Sequence, residues 1–139
     1  MNKQAYQMNE GTLAIPANWR DESMHVFVLP DDSGVNLVIN RTPVPMGSDH
    51  TAYYAQTLTQ FETHLPGYKK HQKLEIALSE APAWRLDYQW QSPEGEMHQT
   101  VVLQIRGNLL LAFNLTSPQP FEEGQRNALL AVVSSFQAT

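Results

Sequence analysis

Cysteine is absent from the 139 residues, which excludes disulfide frameworks, thiolate metal sites, iron–sulfur clusters and cysteine nucleophiles together. Glycine is scarce: seven, dispersed singly, cannot build a phosphate-cradling loop or a dinucleotide fingerprint. Positive charge is also short. Nine Lys and Arg against 14 Asp and Glu give a formal net charge of −5, the wrong sign for holding nucleic acid or anionic lipid through phosphate contacts. No apolar run approaches the ~20 residues that span a bilayer, and Leu109 to Phe113 has the length of a strand. Met1-Asn2-Lys3-Gln4-Ala5-Tyr6 shows no secretory signal. The expectation is a soluble cytoplasmic protein with no nucleic-acid partner and no direct membrane insertion. The sequons at Asn40 and Asn114 are then silent, because glycosylation needs export.

What is present suits one domain over residues 1–139. With 42% hydrophobic residues, a chain of this length can hide roughly 70% of the surface it exposes when unfolded. Proline and glycine divide it into short extended pieces and two helical ones. Gly11 to Ile15 reads as a strand stopped by Pro16. Met24 to Leu29 reads as a second, and Pro30-Asp31-Asp32-Ser33-Gly34 returns the chain into Val35 to Arg41 as an antiparallel partner. Pro43 and Pro45 end that ladder, and Ser48 or Asp49 can cap a helix on which Tyr54, Leu58, Phe61 and Leu65 recur until Leu65-Pro66-Gly67. Lys73 to Leu78 is a further strand candidate. Trp84, Leu86, Tyr88 and Trp90 alternate with Arg85, Asp87, Gln89 and Gln91 in the clearest period-two stretch. Met97 to Arg106 and Leu109 to Thr116 pair about Gly107-Asn108. After Pro118 and Pro120, Phe121, Leu129, Val132, Val133 and Phe136 put apolar groups on one side of a closing helix. The expected fold is α+β, an antiparallel β-sheet flanked by helices, in the order βββ-α-ββββ-α.

Candidate chemistry is sparse. His25, His50, His64, His71 and His98 include no pair at the i, i+4 spacing of a helical metal motif. Ser48-Asp49-His50 holds triad residue types, but three consecutive residues at a helix start cannot point at one another as a triad must. Asp31-Asp32 and Glu122-Glu123 fall at a turn and a helix start, ordinary places for acids. The expectation is a protein that is not an enzyme, with no catalytic residues, no metal and no cofactor.

A two-sided strand is more informative. In Val35 to Arg41 one face carries Val35, Leu37 and Ile39, a sound core face against the helices, while the other carries Asn36, Val38 and Asn40. An apolar side chain bracketed by two uncharged amides suits a surface that receives something both greasy and hydrogen-bonding. Met24, Val26 and Val28 alternate with His25, Phe27 and Leu29, so whichever set faces the core, the other leaves apolar groups on the opposite side. Met on such a wall re-packs against varied partners, and Asn meets polar groups that a dry groove would leave unsatisfied. A hydrophobic peptide or helix is the ligand this suggests. The competing account, in which helices or a symmetry mate cover both faces, remains open at this stage.

Four segments, in order, resemble the DcrB-related family and within it the Eag-type (EagR) chaperones encoded beside type VI secretion effectors. They are Leu13-Ala14-Ile15-Pro16-Ala17-Asn18-Trp19, Met24-His25-Val26-Phe27, His64-Leu65-Pro66-Gly67-Tyr68 and Leu86-Asp87-Tyr88-Gln89-Trp90-Gln91. The likeness runs from Tyr6 to Phe136. It implies a Mog1/PsbP-like fold assembled as a homodimer whose sheet surfaces form a claw. It also implies a cytoplasmic chaperone that shields the N-terminal transmembrane region of a secreted effector, of Rhs or PAAR-containing type, until loading on the secretion spike. Carried over by position, the family's apolar cargo contacts fall on Met24, Val38 and Leu65 and its polar ones on Asn36 and Asn40. On the strand after Gly95, His98 and Thr100 take the corresponding cargo-binding positions. A small-ligand-binding or structural oligomer subunit of the same fold is the alternative.

Overall fold

In the computed structural model, which describes residues 3–139, the chain runs β1 (Lys3–Gln7), β2 (Thr12–Pro16), β3 (His25–Val28), β4 (Asn36–Pro43), α1 (His50–His64), β5 (Lys69–Leu78), β6 (Ala81–Ser92), β7 (Gly95–Arg106), β8 (Leu109–Ser117) and α2 (Glu123–Ser134). The order of strands, helix, strands, helix agrees with the α+β reading. One strand is additional: β1, a mostly polar run without apolar periodicity, pairs with β2 as a separate hairpin. The other six strands form one antiparallel sheet in the order β3-β4-β8-β7-β6-β5. β4 meets β8 from Asn36 opposite Thr116 to Pro43 opposite Leu109, so both local meanders merge into a single layer.

Local chemistry sets the corners. Between β3 and β4, the Asp31 carboxylate accepts from the Ser33 amide at 3.1 Å, and Asp32 and Gly34 take positive φ as Asp and Gly readily do. The Asp49 carboxylate accepts the Thr51 amide at 3.0 Å and so caps α1. Between β5 and β6, both turn residues, Ser79 and Glu80, have positive φ although neither is glycine. Side chains from β7 hold this turn. Gln104 Nε2 donates to the carbonyls of Leu78, Ala81 and Pro82 at 2.8, 3.1 and 3.2 Å, and Arg106 Nη2 donates to that of Ser79 at 2.8 Å.

The helices lie on opposite faces of the sheet, which corrects the expectation that both pack against one face. α2 covers the face of Leu37, Phe113, Leu115, Val102 and Ala83, with Val133 buried against them. α1 covers Leu86, Tyr88, Val101, Leu103, Leu110 and Ala112 on the other. The physical reason is two-sided apolarity: β7 and β8 carry apolar groups at both odd and even positions, and each set needs a cover. Both faces being covered also explains Asp87, one of the polar residues that alternate along β6. It is buried at 3% exposure, where the Arg85 guanidinium grips it through two hydrogen bonds of 2.9 and 3.2 Å. Val132, placed with the apolar side of α2, is 57% exposed.

Candidate functional site

α1 shares its core with β6, β7 and the Leu110–Ala112 part of β8, and no residue of β3 or β4 belongs to that cluster. Cross-strand register fixes what this open part presents, because directly paired residues share a face. Val28, Asn36, Thr116 and Gln99 form one row; Val26, Val38, Asn114 and Val101 form the next; Asn40, Ala112 and Leu103 form a third. Met24 lies one residue before β3, where continued pairing would bring it opposite Asn40. The rows run from the β3 side through a band of amides and a hydroxyl toward Val101, Leu103 and Ala112 of the α1-side core.

Exposure follows the same gradient. Met24, Val26 and Val28 are 60%, 56% and 68% exposed, while Asn36, Val38 and Asn40 are partly buried and none is sealed. The amide band is pre-ordered. Asn114 Nδ2 donates to the Val38 carbonyl at 3.0 Å. Trp90 Nε1 donates to Gln99 Oε1 at 2.8 Å, and Gln99 Nε2 donates to Thr116 Oγ1 at 3.0 Å. Asn36 Oδ1 is buried without a hydrogen-bond partner among the described residues.

α1 forms the boundary of the open part. Its Ala55, Thr59 and Glu62 side meets Tyr68, Lys70 and Leu86 toward β5, so helical spacing turns Tyr53, Thr57 and His64 toward β4. Leu65 caps α1, its amide donating to the Phe61 carbonyl at 3.1 Å, and packs partly buried with the α1-side core. Below it, burial raises the Tyr88 hydroxyl well above the ordinary tyrosine value, with the neighbouring Tyr68 adding to the shift.

The seven positions taken from the sequence therefore separate. Met24, Asn36, Val38, Asn40 and Leu65 belong to the α1 side. His98 and Thr100 belong to the α2 side, in register with Ser117 and Leu115, and Thr100 is fully buried. The pairing explains the displacement: period two from Met97 reaches Gln99 and Val101, so Gln99 is the polar group of β7 on the open face. Gln99, Asn114 and Thr116 went unread, yet strict alternation from Met97 and Leu110 would have marked all three. His25 and His98 stand on β3 and β7 with β4 and β8 between them, too far apart to act as a pair.

An α+β protein with a two-helix clad sheet and one half-open, amide-studded face is the class these observations define. The chain belongs to the DcrB family, whose profile matches residues 10–135. It is 33% identical over 118 residues, 81% of each chain, to Effector EagT6 of Pseudomonas aeruginosa. Its structure resembles the crystal structure of PA94, a Pseudomonas aeruginosa protein of unknown function, with a TM-score of 0.83 and 26% identity over 100% of this chain and 99% of that one. A looser likeness, TM-score 0.48 and 10% identity over 96% and 88% of the chains, is to cyanobacterial PsbP (CyanoP) from Synechocystis sp. PCC 6803. Among the described residues no helix is long and apolar enough to cross a membrane.

Proposed function

We propose that this protein is a cytoplasmic chaperone of type VI secretion that shields the N-terminal transmembrane helices of a secreted effector on the open α1-side face before loading on the spike. The observation that carries it is the pairing of exposed Met24, Val26 and Val28 with a band of partly buried amides, Asn36, Asn40 and Asn114. A purely solvent-facing surface has no use for that combination, whereas an apolar helix bearing occasional hydroxyl or amide groups needs both. The resemblance to EagT6 supports the same reading. Covering one side of a transmembrane helix removes several hundred Å² of apolar surface from water, on the order of 10 kcal/mol gross at about 25 cal/mol/Å² before ordering costs. Micromolar or tighter binding fits that scale. A homodimer completes the proposal: Tyr6, Leu13 and Trp19 are exposed on or beside a hairpin that joins no other strand, and a second copy would cover them.

Coexpression with an effector fragment carrying its apolar N-terminal helices tests the reading. The wild-type protein retains the fragment in solution, and Val38→Gln, which leaves the core intact, loses it. Unchanged retention by that variant removes the open face from the function. A second reading, an apolar small ligand bound on the same fold, is favoured by one feature: a cleft of about 480 Å³ on the α2 side between Phe27, Leu37, Phe113, Leu129 and Val132. That reading expects Leu129→Gln, not Val38→Gln, to abolish binding.

A further inference from the structure

β5 is a basic edge on an acidic chain. Three of the four lysines, Lys69, Lys70 and Lys73, lie on it with His71 among them, although the whole chain carries −5. It is the outermost strand, paired to β6 on one side and to no strand on the other among the described residues. Its residues from Lys69 to Glu75 are exposed. Pairing passes from Lys70 opposite Tyr88 to Gln72 opposite Asp87, so His71 bulges out of the ladder. Lys70 and Lys73 are three residues apart and would face opposite ways on a regular strand. The bulge turns both to the α1 side, opposite Tyr88 and Leu86.

There the two lysines border a cleft of about 240 Å³ between β5 and α1, with Leu58 and Leu86 at its base and Thr59, Glu62 and Tyr68 beside them. Lys73 Nζ lies 4.7 Å from the centre of the Trp84 ring. Neither ammonium is within 4.0 Å of a carboxylate among the described residues, and Glu62 is the one acid bordering the cleft. Lysine on an edge strand commonly keeps copies from pairing. That duty needs neither a bulge that aligns two ammonium groups nor a cleft beside them.

We propose that the β5 edge takes up an acidic, extended segment of a partner polypeptide by strand addition. The segment's backbone pairs with the free side of β5, and its carboxylates meet Lys70 and Lys73. This surface is separate from the open face of β3 and β4, so the proposal stands or falls apart from the chaperone reading. The test uses a fluorescein-labelled ten-residue peptide alternating Glu or Asp with Val and Thr, and its counterpart with Lys at every acidic position. Anisotropy at low salt is expected to show binding of the acidic peptide alone. Affinity should fall about tenfold in the double variant Lys70→Glu, Lys73→Glu, as two exposed ion pairs become repulsions, and should fall again as salt is raised. Hydrogen exchange should slow at β5 amides from Lys69 to Glu75 when the peptide binds, which ion pairing of side chains alone would not do. Equal binding of the basic peptide, undiminished binding by the double variant, or unprotected β5 amides overturns the proposal. The milder pair Lys70→Gln and Lys73→Gln, checked by thermal unfolding, separates loss of binding from loss of fold.

Discussion

Gln104 shows how a single buried amide can fix a corner of the fold. It has no exposure, and its Nε2 serves three carbonyls around a two-residue turn whose residues are both in the left-handed region. Replacement by Leu keeps the volume but strips those carbonyls of their donor. Gln104→Leu is expected to lower stability by about 2 kcal/mol, read as a lower urea midpoint at unchanged slope. The tyrosines of the α1 side make a second residue-scale statement. Burial raises the hydroxyl pKa of Tyr88, Tyr54 and Tyr68 above the ordinary value of about 10, against a partly offsetting amide hydrogen bond from Ile105 at Tyr54. The folded state therefore holds these protons more tightly than the unfolded one. Their stabilising contribution is full below pH ~10 and is lost as pH rises through the raised folded values. A urea midpoint that falls steeply above pH ~10, with late-ionising tyrosine absorbance at 295 nm in the folded protein, is the expected pair of results.

At the scale of elements, α1 depends on its start. Asp49 supplies its side-chain cap, and the first turn holds no acid to complement the helix dipole. Asp49→Ala should cost about 1 kcal/mol in thermal or urea unfolding, while Ser48→Ala, which caps nothing, should cost little. The legibility of each element follows from its covering. α1 could be read because only one side of it is apolar, and Tyr54, Leu58, Phe61 and Leu65 all pack on the sheet. β6 could be read from its alternation. β1 could not, since Lys3-Gln4-Ala5-Tyr6-Gln7 has no apolar face and, among the described strands, pairs with β2. The placement of the two helices on opposite faces was hidden as well: in β7, Val101, Val102 and Leu103 are consecutive and all buried, so periodicity cannot say which side a helix takes. Five of the seven candidate positions lie on the α1 side because they flank strong local signals. His98 and Thr100 lie on the α2 side because the pairing of β7 puts Met97, Gln99 and Val101, not the residues between them, on the α1 side.

For the whole molecule, the sheet order matters most. Bringing β4 beside β8 places β4 and β3 outside the core cluster that α1 shares with β6, β7 and β8, and these two strands are where the apolar and amide groups surface together. The same strands are backed on their other face by α2 only in part, which leaves the apolar cleft beneath Phe27. The proposed function assigns cargo to the β3–β4 part of the α1-side face, and contact is the property that tests this assignment. A photo-crosslinking amino acid placed singly at Val28, Val38 and, on the opposite face, Leu129, in protein coexpressed with the effector's N-terminal helices, reads it directly. The account predicts cargo crosslinks from Val28 and Val38 and none from Leu129; crosslinks from Leu129 alone would contradict it.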